Sequence, residues 1–106
     1  MKLGITDRIH LPELLPSKGS YIEMLLREDI LKKVLLTQVE MEKWEVKIQT
    51  NESGQTSFGW NKEKVEDVDI EFSDAENELI KKQLKEMDDK KELTPVFVIL
   101  YKKFNG

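Results

Sequence analysis

Apolar positions along this chain follow a helical period in some segments and a strand period in others. Between residues 20 and 36 they recur every three or four positions and form a wide stripe, which predicts an amphipathic helix. Ser20 and Glu23 open this segment as a capping box, and Ser73 and Glu76 open a later segment with a narrower apolar stripe. Both segments are therefore predicted to be helices of several turns.

Two shorter helices are predicted from the same kind of start signal. Thr37 and Glu40 repeat the capping box and predict a helix of one or two turns from Gln38 to Lys43. Another start lies at Thr6 and Asp7, before the apolar stretch from Ile9 to Leu15, in which proline keeps the helix brief or irregular.

The strand period appears in the middle of the chain. Apolar and polar residues alternate from Trp44 to Ile48 and again from Thr56 to Trp60, with the polar turn Asn51–Gly54 between them, so a β-hairpin is expected. A third short strand is predicted from Val68 to Phe72. We expect these strands to form one small antiparallel sheet.

The C-terminal segment is the most apolar part of the chain. Thr94 and Pro95 resemble an N-cap and first helical residue, which favours a last helix to Phe104. The β-formers in Val96–Tyr101 leave a buried strand as the alternative. A helix here is apolar around nearly its whole circumference, so it packs either in the core or against a partner. The residues expected to contact a partner are Phe97, Leu100, Tyr101 and Phe104.

Composition narrows the class of protein. The 106 residues fit one domain spanning residues 1–106, with 36% charged and 39% hydrophobic side chains. There is no cysteine, no apolar stretch of secretory length at the start, and no apolar run long enough for a bilayer, so we expect a cytoplasmic protein without membrane contact. A net charge of −4 disfavours nucleic acid as a partner.

No group of residues carries a catalytic signature. His10 is the single histidine, with Asp7 nearby as a possible acid or base partner, but no nucleophile accompanies it, so a role as acid or base is disfavoured. Acidic residues cluster at 66–71 and 86–89 without the glycine-containing loop that holds hard cations, and glycines are too sparse for a phosphate-binding loop. We expect no enzyme activity, no cofactor and no metal.

The predicted order of helix, short helix and hairpin is also that of a winged helix. In that case Gln38–Lys43 would be the recognition helix, but it carries two glutamates and one lysine, which opposes binding in a DNA groove. This alternative function, a regulator that contacts nucleic acid, would use four lysines for phosphate contact. They are Lys43, Lys47, Lys62 and Lys64.

Several segments together suggest a relationship. The stretches LPELLPSKGSYIEMLLREDIL, TQVEMEKWEVKIQ, GWN, VDIEFSDAENELIKKQLKEMDDKKELT and LYKKF resemble a group of small uncharacterised proteins of phages and prophages. The resemblance implies a phage or bacterial cytoplasmic setting and transfers no active-site residue. The chain departs from the group at residues 95–99, which are more apolar.

These observations define one expectation for the fold and one for the function. The fold is α+β, with N-terminal helices, a small antiparallel sheet with a β-hairpin, and C-terminal helices. The function is that of a non-catalytic module for protein–protein interaction or self-association, whose partner is another protein or a second copy of the chain.

Overall fold

The computed structural model describes residues 1–105 and has an α+β fold. The helices are α1 (Ile5–His10), α2 (Tyr21–Val34), α3 (Gln38–Lys43), α4 (Asp74–Asp89) and α5 (Pro95–Asn105), and a 3-10 turn (Leu11–Leu14) follows α1. The strands are β1 (Lys2–Leu3), β2 (Lys47–Thr50), β3 (Thr56–Gly59) and β4 (Val68–Asp69). No helix within these residues is long and apolar enough to span a bilayer.

Three of the predicted helix starts are confirmed by their hydrogen bonds. In α2, α3 and α4 the N-cap hydroxyl accepts from the backbone N–H of the glutamate three residues later, and that glutamate accepts from the N-cap N–H. The first helix differs from the prediction, because α1 begins at Ile5 and Asp7 is its third residue. The Asp7 carboxylate accepts from the Gly4 N–H at 3.0 Å, so it still caps the helix.

The strands form two separate sheets, whereas one sheet was predicted. In the first, β1 pairs antiparallel with β4, with Leu3 opposite Val68. In the second, β2 and β3 form the predicted hairpin, with Ile48 opposite Phe58. The predicted strand from Val68 to Phe72 is therefore shorter than expected and pairs with the start of the chain. A two-residue strand such as β1 is too short to show a period, which is why the sequence pattern did not indicate it.

The hairpin loop has a defined geometry. The Asn51 carboxamide oxygen accepts from the N–H groups of Ser53 and Gln55, and the Gly54 N–H donates to the Asn51 carbonyl. Gly54 has φ of 81°, a left-handed conformation that suits glycine. This arrangement, a turn followed by one left-handed residue, fixes the register of β2 and β3.

The core lies between the N-terminal segment and helices α2, α4 and α5. Its fully buried side chains are Leu3, Leu11, Ile30, Val34, Ile80, Leu84 and Leu100. The last segment is α-helical, as favoured by Thr94 and Pro95, and the strand alternative for Val96–Tyr101 is excluded. The hairpin contributes no residue to this core, and every residue of β2 and β3 is exposed.

Candidate functional site

Helix α5 does not present the partner contacts predicted for it. Phe97, Leu100 and Phe104 are buried in the core, and Tyr101 packs against it, so their apolar surface is already covered by the chain itself. A partner could reach them only if α5 left the core. The exposed apolar residues of α5 are Val98 and Ile99, which the prediction did not single out.

An apolar groove lies beside the hairpin, and sequence reasoning did not predict it. This hairpin groove has a volume of about 190 Å³. It is lined by Arg8, Ile9, Pro12, Leu35, Leu36, Met41, Ile48 and Phe58. The lining therefore comes from α1, the 3-10 turn, the α2–α3 connection, α3 and both strands of the hairpin.

The rim of the hairpin groove is apolar and accessible to solvent. Leu35 is 56% exposed, Ile48 is 53% exposed and Phe58 is 41% exposed. Ile48 and Phe58 stand opposite each other in the ladder, so their side chains are on the same face of the hairpin. Neighbouring exposed apolar side chains of this kind are typical of an interaction surface.

Arg8 holds the wall of the hairpin groove in place. Its Nε donates to the Val34 carbonyl at 3.0 Å and its Nη2 to the Leu35 carbonyl at 3.0 Å, which satisfies carbonyls at the end of α2. Its Nη1 and Nη2 also donate to the two carboxylate oxygens of Glu40, at 2.7 and 2.8 Å. One side chain therefore connects α1, the end of α2 and the start of α3.

The ion pair between Arg8 and Glu40 is shielded from water. The side chain of Arg8 is 3% exposed and that of Glu40 is 18% exposed. Hydrogen bonding to Arg8 lowers the pKa of Glu40 from 4.5 to about 2, although burial acts in the opposite direction. The guanidinium also lies 5.9 Å from the ring centre of Trp44, which is buried. The charge of Arg8 is thus balanced within the protein, and the groove that it lines is left apolar.

A second, larger cavity lies on the polar side of the hairpin. It has a volume of about 390 Å³ and is lined by Glu45, Lys47, Gly59, Trp60 and Asn61. The Glu45 carboxylate accepts from the Asn61 side chain at 2.7 Å, and this bond together with nearby lysines lowers the pKa of Glu45. Glu45 and Asn61 therefore bind each other across this cavity.

The lysines predicted for phosphate contact do not form a uniformly basic surface. Lys43 lies 3.9 Å from the Glu66 carboxylate, and Lys64 lies 3.5 Å from that of Glu45. Lys47 lines the second cavity beside Glu45. The element order of the winged-helix alternative is present, but acidic side chains accompany its lysines.

The remaining candidate for chemistry is His10, which contacts Glu13 rather than Asp7. Its Nδ1 is 3.4 Å from the Glu13 carboxylate, and its ring meets Phe97 edge to face. Asp7 is occupied elsewhere, because it accepts from Lys103 Nζ at 2.6 Å. Within residues 1–105 no group of three or more His, Asp or Glu side chains is arranged to hold a metal ion.

Comparison with protein-family models, with curated proteins and with solved structures finds no match to this chain.

Proposed function

We propose that this chain is a non-catalytic interaction module that binds an apolar segment of a protein through the hairpin groove. The observation that carries the proposal is the exposed apolar rim formed by Leu35, Ile48 and Phe58. When a partner removes exposed apolar side chains around a concave apolar surface from water, the free energy of the complex is lowered. The groove is small, so its occupant contributes one or two large apolar side chains.

The construction of the groove supports this proposal. Its wall is fixed by four hydrogen bonds from Arg8, so little conformational entropy is lost there on binding. Arg8 and Glu40 neutralise each other, so an apolar side chain entering the groove meets no unpaired buried charge. A preorganised apolar groove with a neutral wall is suited to an aliphatic or aromatic side chain.

A peptide-selection experiment tests the proposal. Random peptides are selected against the full chain, and the affinities of the selected peptides are measured by calorimetry. We expect peptides with a shared apolar anchor. Leu35→Glu should weaken binding at least about tenfold, whereas Ile22→Glu, the same kind of change at an exposed residue outside the groove, should leave it within about twofold. Equal effects of the two variants, or no selected peptide, would contradict the proposal.

The cellular setting is part of the same proposal. The resemblance of LPELLPSKGSYIEMLLREDIL and the later segments to proteins of phages and prophages supports a cytoplasmic role in a phage or its bacterial host. The position of the gene tests this, because a phage replication, packaging or tail cluster would agree with it. A chromosomal position far from any phage genes would contradict it.

A nucleic-acid regulator is the second candidate, favoured only by the order of α2, α3 and the hairpin. Its phosphate contacts would be Lys43, Lys47, Lys62 and Lys64. Electrophoretic mobility shifts at several salt concentrations test it, because phosphate contacts weaken steeply as salt rises. A salt-sensitive complex that is lost on Lys47→Glu would support this candidate over the interaction module.

A further inference from the structure

Strand β3 has a free edge on the side away from β2. Within residues 1–105 its ladder partner is β2 alone. The Asn51 N–H donates to the Gln55 carbonyl, which makes 51 and 55 a hydrogen-bonded pair. Because such pairs alternate along an antiparallel ladder, the backbone N–H and C=O groups of Thr56 and Phe58 point outward, away from β2. They are available to another strand.

The sequence of this edge is unusual for this chain. Residues 53–61 carry no charged side chain, although 36% of the chain is charged. The other uncharged run of nine residues, 93–101, lies mostly in α5, whose inner face is buried. Exposed edge strands are normally protected by proline, or by lysine or another charged residue, which prevents pairing with a second strand. Strand β3 has none of these, although all four of its residues are exposed.

We propose that two copies of this chain pair through their β3 strands, antiparallel and about a two-fold axis, and so form one four-stranded sheet. The inference goes beyond the proposed function, because the pairing uses the edge of β3 and not the hairpin groove. In a register centred on Phe58, the outward backbone groups of Phe58 bond to those of the same residue in the second copy. Ser57 then lies opposite Gly59, and the two Phe58 rings are neighbours on one face of the sheet.

A second copy suits this edge for three reasons. The two-fold register places no charged residues opposite each other along β3, so it avoids the like-charge cost of bringing together two chains of net charge −4. The face of the strand is open at Gly59, because no atom lies within 4 Å of the position that a side chain would take, so the Ser57 side chain of the second copy finds space opposite it. A two-stranded hairpin is marginal alone, and four strands give it independent stability.

Matched lysine substitutions test the pairing edge. Ser57 and Gln49 are cross-strand partners on the same face of the hairpin, so Ser57→Lys and Gln49→Lys add the same charge at two exposed positions. Sedimentation velocity of the full chain over a range of concentrations should show a monomer–dimer equilibrium. Ser57→Lys should weaken it at least about tenfold, because the two new charges then lie diagonally across the new strand pair, and Gln49→Lys by less than about threefold.

Single cysteines test the register. The chain has no cysteine, so any disulfide in a single-cysteine variant joins two copies. In the proposed register the two Phe58 Cα atoms are about 5.5 Å apart, within the range of a disulfide, whereas the two Ile48 Cα atoms are separated by three strand spacings, about 14 Å. Phe58→Cys should therefore form a disulfide dimer under mild oxidation, and Ile48→Cys should not.

The outcomes separate this inference from the proposed function. A chain that remains monomeric at about 1 mM overturns the pairing of β3, while the peptide experiment still decides the role of the groove. A dimer that both lysine variants weaken equally, or that Ile48→Cys cross-links as well as Phe58→Cys, uses another surface and also overturns it. A dimer sensitive to Ser57→Lys alone and cross-linked through Phe58→Cys supports it.

Discussion

Replacing Glu40 by glutamine removes the negative partner of a buried arginine while keeping the shape of the side chain. In the native protein the two carboxylate oxygens accept from Arg8, and one of them also accepts from the Thr37 N–H at the start of α3. Glutamine has one oxygen for these donors and no charge. Arg8, whose side chain is 3% exposed, would then lack a counter-charge. We expect Glu40→Gln to lower the free energy of unfolding at pH 7 by about 3 kcal/mol.

The same ion pair gives the protein a calculable pH dependence. Hydrogen bonding to Arg8 lowers the pKa of Glu40 from 4.5 to about 2 in the folded protein. A lowered pKa stabilises the folded protein above pH 4.5, and this stabilisation is lost as the pH falls toward 2. The full contribution is about 3 kcal/mol, because each unit by which the pKa is lowered corresponds to about 1.4 kcal/mol. About 2 kcal/mol of it should be lost between pH 7 and about pH 3.

Urea unfolding at a series of pH values measures both effects, with tryptophan fluorescence and circular dichroism as probes. Glu42→Gln is the matched control, because Glu42 lies on the same helix, is exposed and has no contact with Arg8. Between pH 7 and about pH 3, Glu40→Gln should lose about 2 kcal/mol less than the native protein, and Glu42→Gln should follow the native protein. Parallel curves for the native protein and Glu40→Gln would refute the reasoning.

Three further substitutions probe other parts of the fold by urea unfolding at pH 7. Burial raises the pKa of Glu76, but hydrogen bonds from Lys33 and Ser73 lower it, and the net effect is a lowered pKa. Lys33→Met should therefore cost about 1–2 kcal/mol of the free energy of unfolding, and an unchanged stability would contradict the stabilising role of Lys33. Ser73→Ala removes the N-cap of α4 and should cost about 1 kcal/mol, whereas a loss under about 0.3 kcal/mol would show that the cap is dispensable. Leu100→Ala leaves a cavity in the core and should cost about 2–5 kcal/mol; a smaller loss would mean that α5 packs less tightly than its burial indicates.

The parts of the fold that the sequence predicted are those fixed by interactions within a few residues. A capping box involves two residues three positions apart, and the hairpin depends on alternation and on a turn of a few residues. The pairing of β1 with β4 joins Leu3 to Val68, far apart in the chain. Nothing local in a two-residue strand indicates its partner, so the expected single sheet was wrong while the α+β class was confirmed.

The hairpin groove was missed for the same physical reason. Its wall depends on Arg8, which reaches Leu35 and Glu40 from another helix, and an arginine in the sequence carries no sign of where its guanidinium lies. The alternation of Ile48 and Phe58 with polar residues predicts that the two side chains share one face of the hairpin, and the pairing of the strands confirms this. Such a pattern indicates which residues share a face, but not whether the protein covers that face.

The distribution of apolar residues between α5 and the hairpin decides where an interaction surface can be. The inner side chains of α5, such as Leu100, are fully buried and stabilise the fold. Ile48 and Phe58 are exposed, so they contribute little to folding and remain free to lose water when a partner binds. Substituting them should therefore change binding more than stability, whereas substituting Leu100 should do the reverse. The apolar surface available for association is thus on the hairpin, although the most apolar segment of the sequence lies in α5.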